Sequence, residues 1–218
     1  MPAIRDNAYI WVTWLTRLLS GENSCEWAAW FRANHEGWSY EKVSSDFDST
    51  TWQLNHTTLL NHILSELEEE EGKTVFTENQ NSFFLRGASA TLAGKPDIIT
   101  SSGSNGIIYD VKTGRSSPSH HIQVMVYMYA IPRAIRQYRG VEFDGKVVYE
   151  DNEVVIPAAA IDQTFIDNLG QLIRRVASST PARKVPSKME CRFCNITRAD
   201  CPERAAENII EEGETNDF

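Results

Sequence analysis

The segment GKPDIITSSGSNGIIYDVKTG, residues 94–114, constrains the fold more than any other stretch of this sequence. Two apolar runs flank a Ser/Gly/Asn turn, which is the pattern of a β-hairpin. A turn centred between Gly103 and Ser104 places Asp97 opposite Asp110, because the two numbers are symmetric about that point. Aspartate is depleted from strands, and like charges directly opposed across a sheet are destabilising. The hairpin is therefore predicted to bring two carboxylates together for a reason other than strand stability.

A bound cation would relieve the repulsion between the two aspartates. Carboxylate oxygens are hard ligands that select Mg²⁺ or Mn²⁺. Lys112 projects to the same face as Asp110 because side chains alternate along a strand. A divalent ion that activates water, with an ammonium group that stabilises developing negative charge, suits hydrolysis of a phosphodiester. The alternative is a hairpin that carries two solvent-facing aspartates without a catalytic role.

The remaining pattern predicts one α/β domain, and 218 residues are enough for a sizeable core. Helices are predicted for NAYIWVTWLTRLL, for CEWAAWFRAN, for residues 52–71 with Gly72 as the stop, and for residues 120–138 and 162–178. Pro132 should kink or break the fourth of these helices. Strands are predicted at TVFTEN, SFFLRG, KPDIIT, GIIYDVK, GKVVYE and EVVIP. This order predicts one mixed sheet with helices packed against it.

The formal charge of −9 argues only superficially against a nucleic-acid partner, because the acidic residues are concentrated. Eleven of them lie in residues 66–71 and 203–217. Residues 111–141 contain no acidic residue, and residues 174–192 hold six basic residues and one acidic residue. Local basic regions of this kind suit a phosphate backbone, and ordinary solvated helix faces are the alternative.

Four cysteines form a second candidate site. Cys25 stands alone near the N-terminus, whereas Cys191, Cys194 and Cys201 follow as C-x2-C-x6-C. No N-terminal segment reads as a secretion signal or as a membrane span, so we expect a soluble cytoplasmic protein with reduced thiols. All four thiols can then serve one metal centre. A structural zinc site usually supplies two close pairs, unlike this division of one plus three.

The hairpin motifs resemble those of the PD-(D/E)XK nuclease superfamily. KPDII followed by YDVKTG supplies Asp97 as the first acid, Asp110 as the second and Lys112 as the lysine. In the RecB-like branch of that superfamily a downstream helix carries Gln-x-x-x-Tyr, which Gln123 and Tyr127 match in QVMVY. Residues four apart share one face of a helix, so both side chains can reach the same strand edge or phosphate. Core packing is the alternative for Tyr127.

RecB-like members also bring a histidine from an earlier helix to the metal, and two histidines qualify here. His56 and His62 are separated by about 600 degrees of helix, so only one of them can face the site. We favour His56 because His62 leads into the acidic run; a histidine that is merely exposed or satisfied is the alternative. The resemblance implies a set of ligands for Mg²⁺ or Mn²⁺, namely His56, Asp97, Asp110 and the Val111 carbonyl.

The resemblance also implies roles for the other site residues. Lys112 positions or activates the attacking water, and Gln123 and Tyr127 orient the substrate and the lysine. Glu78, in FTEN, is a weaker candidate for a contact with a metal-bound water or with DNA. The imidazole ligand favours Mn²⁺ as an activator.

The division of the cysteines is similar to the iron–sulfur staple of the CRISPR-associated RecB-like exonucleases and of AddB-type helicase-nucleases. It implies a 4Fe-4S cluster, which thiolates suit, on Cys25, Cys191, Cys194 and Cys201. Zinc on the same thiols and free buried cysteines stay open as alternatives. A shared centre would tie the N-terminal helices to the C-terminal segment, so that binding energy becomes folding energy.

The resemblance covers roughly residues 10–202. It implies a restriction-endonuclease-like core, a mixed central β-sheet flanked by helices, with a small cysteine-bound iron–sulfur subdomain that joins the N- and C-terminal segments. The predicted domains are a helical segment over 1–50, a nuclease core over 51–180, a cluster-binding segment over 181–202 and a flexible acidic tail over 203–218. The second acid is Asp rather than the commoner Glu, and no helicase motif is present.

The implied function is a metal-dependent DNA exonuclease that acts on single strands or on DNA ends. DNA is the expected partner. Proteins of CRISPR adaptation or of recombination and repair are further candidates, and no membrane association is expected. One alternative is a catalytically inactive DNA-binding or adaptor protein of the same fold, and another is a four-cysteine zinc protein of unrelated function. The complete set of two acids and a lysine disfavours the inactive protein, because a protein that no longer catalyses the reaction should lack at least one of these residues.

Overall fold

The computed structural model describes residues 1–44, 48–68, 74–77 and 80–205. These residues form six α-helices and eight β-strands. The helices are α1 (Thr13–Leu19), α2 (Trp27–Asn34), α3 (Ser49–Glu68), α4 (Pro118–Ala134), α5 (Gln163–Val176) and α6 (Lys188–Arg192). The strands are β1 (Ala8–Trp11), β2 (Thr74–Thr77), β3 (Phe83–Arg86), β4 (Ala90–Gly94), β5 (Ile98–Ser102), β6 (Asn105–Lys112), β7 (Glu142–Tyr149) and β8 (Glu153–Ile156).

A five-stranded sheet contains the predicted hairpin. Its order is β2-β5-β6-β7-β8, with β6 and β7 parallel and the other pairs antiparallel. Ser102 pairs with Asn105, so the turn is centred between Gly103 and Ser104 as the sequence predicts. Gly103 has a φ of 61°, a left-handed conformation that favours glycine. The parallel pair needs a crossover, which α4 supplies, and the helix is thereby placed against the sheet.

A second, three-stranded sheet was not predicted, so the expectation of one sheet is wrong. Its order is β1-β4-β3, with β1 parallel to β4. The first part of the predicted N-terminal helix is the strand β1, in which Ala8 and Ile10 are buried and Tyr9 and Trp11 are less so. That alternation has the period of a strand, and the helix begins only at Thr13.

The boundaries of the longer helices differ modestly from prediction. Helix α3 begins at Ser49 rather than at residue 52, and the expected stop at Gly72 lies outside the described residues. Helix α4 ends at Ala134, two residues after Pro132, and a 3₁₀ helix follows at Arg136–Tyr138. Proline has no N–H for the helical ladder, which explains why the α-helix stops within this turn.

The five-stranded sheet is covered on both faces. Side chains that alternate along its strands divide between two apolar clusters, with Ile99, Ile108 and Val147 packing towards α4. Ile98 and Tyr109 pack with Ile63 of α3 in the other cluster. Gly145 of β7 lies so close to Val124 of α4 that a Cβ atom there would clash with it. The tight contact fixes the height of α4 above the strands. No helix in the described part of the chain is long and apolar enough to span a bilayer.

Candidate active site

Asp97 and Asp110 meet at the open end of the hairpin. Ile98 pairs with Tyr109, and one further step along both strands places Asp97 opposite Asp110. Both aspartates are buried, with 8% and 1% of their surface exposed. Oδ2 of Asp97 accepts a hydrogen bond of 2.6 Å from the backbone N–H of Val111. The alternative of two solvent-facing aspartates is therefore wrong.

Asp110 is held from two sides. Nζ of Lys112 lies 2.6 Å from Oδ2 of Asp110, and Nε2 of Gln123 donates to Oδ1 at 3.0 Å. Burial raises the pKa of Asp110 to about 6; Lys112 opposes the rise and Asp97 adds to it. The Lys112 ammonium is the partner of Oδ2, and Gln123 is the partner of Oδ1.

Gln123 and Tyr127 form a relay behind Asp110. Nε2 of Gln123 is 3.1 Å from the hydroxyl of Tyr127, which in turn points to the carbonyl of Lys95 at 3.5 Å. Burial, followed by the charge of Asp110, raises the pKa of Tyr127 above its ordinary value, so the hydroxyl stays protonated. The ring packs edge-on against Phe83 in the core. Tyr127 therefore combines core packing with a hydroxyl that reaches the site through Gln123.

His56, and not His62, lies at the aspartates. Nε2 of His56 is 3.5 Å from Oδ2 of Asp97, and the imidazole side chain is only 11% exposed. The side chain of His62 is 68% exposed and lies 3.7 Å from Glu66. Trp52, one turn before His56, stacks on its ring with 5.1 Å between centroids. Glu78 lies outside the described residues.

Asn81 supports the first aspartate and was missed by sequence reasoning. It is fully buried, and its Nδ2 contacts the carbonyls of Phe76, Pro96 and Asp97 at 2.9, 3.4 and 3.4 Å. These contacts fix the backbone on which Asp97 is mounted. An asparagine between two strands ordinarily indicates a turn, so the sequence carries no signal for this role.

His120 and Glu22 are two further residues that the sequence did not single out. His120 lies at the edge of the site, where Nδ1 is 3.0 Å from the hydroxyl of Tyr149. Burial and the charge of Lys112 lower its pKa to about 4, so the imidazole is neutral at pH 7. His120 precedes Gln123 by three helical positions, a spacing that could have flagged it.

Glu22 binds the start of the helix that carries Gln123. It accepts hydrogen bonds from the hydroxyl of Ser117 at 2.6 Å and from the N–H of Ser119 at 3.1 Å. Burial alone would raise the pKa of Glu22, but these bonds and one from Ser20 lower it to about 2. A carboxylate at a helix N-terminus is stabilising, so Glu22 helps to fix the first turn of α4.

The four cysteines line one cavity of about 310 Å³. Cys191 and Cys201 are buried, Cys25 and Cys194 are half-buried, and all are free thiols. Both carboxylate oxygens of Glu190 accept hydrogen bonds of 3.0 Å, from the N–H groups of Ser24 and Cys25. Burial raises the pKa of the Cys201 thiol, with Lys184 opposing the rise. The N-terminal loop and the C-terminal segment are therefore in direct contact.

Neither site is assembled as a closed metal cage. Within the described ranges, no group of three or more His, Cys, Asp or Glu side chains lies close enough to hold a metal ion. At the carboxylates, the ammonium of Lys112 supplies the positive charge beside Asp110. The donor types still fit: hard oxygens and an imidazole at one site suit Mg²⁺ or Mn²⁺, and thiols at the other suit iron or zinc.

The basic regions of the sequence are used in different ways. Arg175 and Lys184, from the second region, are paired with Glu26 at 2.8 Å and Glu203 at 2.7 Å. In the first region Lys112 contacts the site, whereas Arg133 stacks on a ring near the far end of α4. Counting charges along the sequence therefore overstates the free positive charge of the second region.

A known protein family matches most of this chain. The PD-(D/E)XK nuclease superfamily model matches residues 11–202 of the chain. No curated protein matches. A solved structure described as the crystal structure of SSO0001 is similar at 17% sequence identity, with a TM-score of 0.46; the match covers 93% of this chain and 90% of that chain. The mixed α/β fold, with two mixed sheets flanked by helices, fits a restriction-endonuclease-like core.

Proposed function

Since this chain belongs to the PD-(D/E)XK nuclease superfamily, we propose that it is a metal-dependent deoxyribonuclease of the RecB-like branch. We further propose that it acts as an exonuclease on single-stranded DNA or DNA ends. The observation that carries the proposal is the buried pair of Asp97 and Asp110 with Lys112 at 2.6 Å from the second acid. Nucleases of this superfamily use Mg²⁺ or Mn²⁺ and act on DNA. Any partners in CRISPR adaptation or in recombination and repair rest on the resemblance alone.

A divalent ion would be held by His56, Asp97, Asp110 and the Val111 carbonyl. When bound, it polarises the phosphoryl oxygen and lowers the pKa of a coordinated water. The burial of both carboxylates side by side supports this assignment, because the single ammonium at Asp110 does not balance the negative charge of two buried acids. The contact of Nε2 of His56 with Asp97 supports the choice of His56 over His62.

Lys112 is proposed to act on the attacking water and on the phosphate. Its side chain is 22% exposed, so the ammonium lies at the boundary between the buried acids and solvent. From there it can orient the water and stabilise the negative charge that develops as the new P–O bond forms and the bond to the leaving sugar oxygen breaks. The ammonium has three N–H donors, so it can contact the water and the phosphate at the same time.

Gln123 and Tyr127 are proposed as positioning residues for Asp110 rather than as groups that touch the substrate. Gln123 donates to Oδ1 of Asp110, which leaves the other carboxylate oxygen directed at Lys112. Tyr127 is too deeply buried to meet a phosphate and acts through Gln123. This differs from the sequence-based expectation that both residues orient the substrate.

We propose that the four cysteines bind a structural 4Fe-4S cluster, with zinc as the alternative. The shared cavity and the Glu190 contact to the Cys25 loop support a common centre. Iron and sulfide analysis of anaerobically purified protein, with its visible absorption, separates the two metals. A colourless, iron-free protein that still cleaves DNA would exclude a required cluster.

The nuclease proposal is tested with end-labelled single- and double-stranded DNA in Mn²⁺, with ends of each polarity. Wild type is compared with Asp110→Asn and Lys112→Ala, and Lys146→Ala is the matched control. Lys146 also lies on the five-stranded sheet and is 23% exposed, but it pairs with Glu153 at 3.0 Å. We expect both site variants to lose cleavage and to keep DNA binding, while the control cleaves normally. Equal cleavage by all four proteins would place the active site elsewhere.

A further inference from the structure

A groove of about 470 Å³ lies outside the carboxylate site and shares none of its proposed residues. We call it the basic-aromatic groove. Its lining alternates cations and rings that come from the N-terminal segment, α1, α2 and the loop after α2: Arg5, Tyr9, Trp14, Arg32, Tyr40 and Lys42. Phe193, from the cysteine-bearing segment, closes one side and is 67% exposed. The groove therefore joins the two ends of the chain on one surface.

The cations of this groove are each placed over a ring. The distances to the ring centroids are 5.5 Å for Arg5 over Tyr9, 6.0 Å for Arg32 over Trp14 and 5.7 Å for Lys42 over Tyr40. Arg17 lies in the same way over Phe193 at 5.5 Å. Proteins hold unpaired nucleic acid with a positively charged groove that contains aromatic rings, with phosphates on the cations and bases on the rings.

The positive charge of the groove is largely unneutralised. Arg32 and Lys42 form no ion pair with any described residue, whereas Arg5 is paired with Glu36 at 2.9 Å. Arg17, also without an ion pair among the described residues, lines the adjoining cysteine cavity. Nε of Arg32 and Oδ1 of Asn195 are buried without a hydrogen-bond partner within the described part of the chain. None of the described residues that line the groove is acidic, although Asp200 lies close enough to Tyr40 to add to the rise in pKa that burial causes there. In a chain of net charge −9 this is a local basic surface made by folding, since residues 1–44 hold four basic and five acidic residues.

The groove is connected to the carboxylate site by charged residues. Arg17 is close enough to His120 to lower its pKa, and so is Lys112, which contacts Asp110. From Arg17 the surface continues over Phe193 into the groove. A strand that leaves Lys112 towards the groove therefore passes the acid Glu22, whose charge opposes the fall that burial causes in the pKa of His120, as well as the positive charge of Arg17.

We propose that the basic-aromatic groove holds the single-stranded DNA that flanks the scissile phosphate. The proposal rests on the nuclease function proposed above and adds a binding site for its single-stranded substrate. Partly exposed rings favour single strands because the faces of bases in a duplex are already stacked on one another. Each cation contributes a salt-dependent phosphate contact, and each ring contributes a contact that salt does not weaken.

The proposal is tested by binding, without cleavage. Fluorescence anisotropy of a labelled single-stranded oligonucleotide is measured in EDTA over a range of salt concentrations. Lys42→Ala should weaken binding severalfold and reduce the slope of log K against log salt by about 0.7. Tyr40→Leu should weaken binding by at least about fivefold with the slope unchanged, and Tyr40→Phe should restore it. Duplex binding should not respond to these changes.

Arg133→Ala is the matched control, because Arg133 also lies over a ring, Tyr129 at 4.0 Å, but outside the groove. It should bind single strands as wild type does. Wild-type affinity in both Lys42→Ala and Tyr40→Leu would overturn the proposal, and so would an equal loss in Arg133→Ala. Tighter binding of RNA than of DNA of the same sequence would also overturn it, since the occupant would then be RNA.

A second arm separates the groove from the nuclease function. With Mn²⁺, Lys42→Ala should slow cleavage of an oligonucleotide of about thirty nucleotides more than that of one of about four, which cannot reach the groove. Equal slowing of cleavage for both oligonucleotides would overturn the proposal that the groove holds the strand. Absence of cleavage by wild type, with binding still lost in the groove variants, would remove the nuclease function and leave the groove as a binding site.

Discussion

The carboxylate site and the cysteine site are built in opposite ways. Asp97 and Asp110 are neighbours across a hairpin, and hydrogen bonds from Val111 and Gln123 hold them. The cysteines come from the two ends of the chain, and Glu190 bridges 165 positions to reach Cys25. A site made within one hairpin takes its geometry from the pairing of the two strands. A site made from distant segments depends on whatever joins them, so the first should govern activity and the second stability.

The largest effect should follow loss of the second acid. Asp110→Asn should reduce the rate of DNA cleavage by about 10³-fold, because the charge that would hold a cation is removed while the contact with Gln123 can persist. The unfolding free energy at pH 7 should be unchanged or higher, because burial raises the pKa of Asp110 and so disfavours the ionised carboxylate that this substitution removes. Single-turnover cleavage and urea unfolding measure the two quantities. A variant that fails to fold would contradict the separation of activity from stability.

At the cysteines we expect the reverse, a loss of stability with little loss of cleavage activity. If they share a metal centre, Cys194→Ala should lower the unfolding free energy by more than about 4 kcal/mol and abolish bound iron, because metal binding is then part of folding. Cleavage per folded molecule should persist. Met189→Ala is the control, since Met189 lies in the short helix α6, which ends two residues before Cys194, and is 73% exposed. Unchanged stability in Cys194→Ala would mean that the cysteines do not join the chain ends.

A smaller effect tests how the hairpin site is packed. A Cβ atom on Gly94 would lie 2.8 Å from Cε1 of Tyr127 and 2.9 Å from Phe83. Gly94→Ala should therefore cost about 1–3 kcal/mol by overpacking and should also reduce cleavage through the displaced Tyr127 and Gln123. At Gly114 a Cβ atom meets nothing within 4 Å, so Gly114→Ala is the control for unfolding. Similar unfolding curves for both variants would show that Tyr127 can shift freely.

The smallest effect concerns Glu22. This residue precedes Cys25 by three positions in the sequence and binds the start of α4 in the structure. Its pKa is lowered to about 2, so its stabilising contribution is present above the unfolded value of about 4.3 and is lost as the pH falls through 2. Glu22→Gln should be less stable than wild type at pH 7, and the difference should shrink towards pH 2. Thermal unfolding over this range measures it; a constant difference would mean that the hydrogen bonds do not depend on the charge.

The hairpin site was largely predictable because its information is local. Asp97, Asp110, Lys112 and Gln123 fall within 27 residues, and strand and helix periodicity place them on facing surfaces. Tyr127 was also identified, but as a residue that orients the substrate and the lysine and not as a partner of Gln123 behind Asp110. Asn81 was not, because its partners are backbone carbonyls, which no side-chain pattern reports.

The N-terminal strand was missed for a different reason. Only Val12 separates AYIW from TWLTRLL, so a helical period fits both segments until the partner strand is known. That partner, β4, contains alanine and glycine, which have weak strand preferences. Its pairing with β1 spans more than eighty positions, and only the folded sheet shows it. The basic-aromatic groove was hidden likewise, since its cations are scattered among acids in the sequence.

The parallel pairing of β1 with β4 has a consequence for synthesis. Ala8 leaves the ribosome long before Ala90, so β1 cannot pair within the three-stranded sheet until nearly half of the chain has been translated. The Cys25 loop must wait longer still, for Glu190 near the end. During that interval the aromatic residues of the amino-terminal region stay without their native cover, and long-range contacts of this kind form slowly. We expect expression yield to depend on temperature and chaperones more strongly than the final stability would suggest.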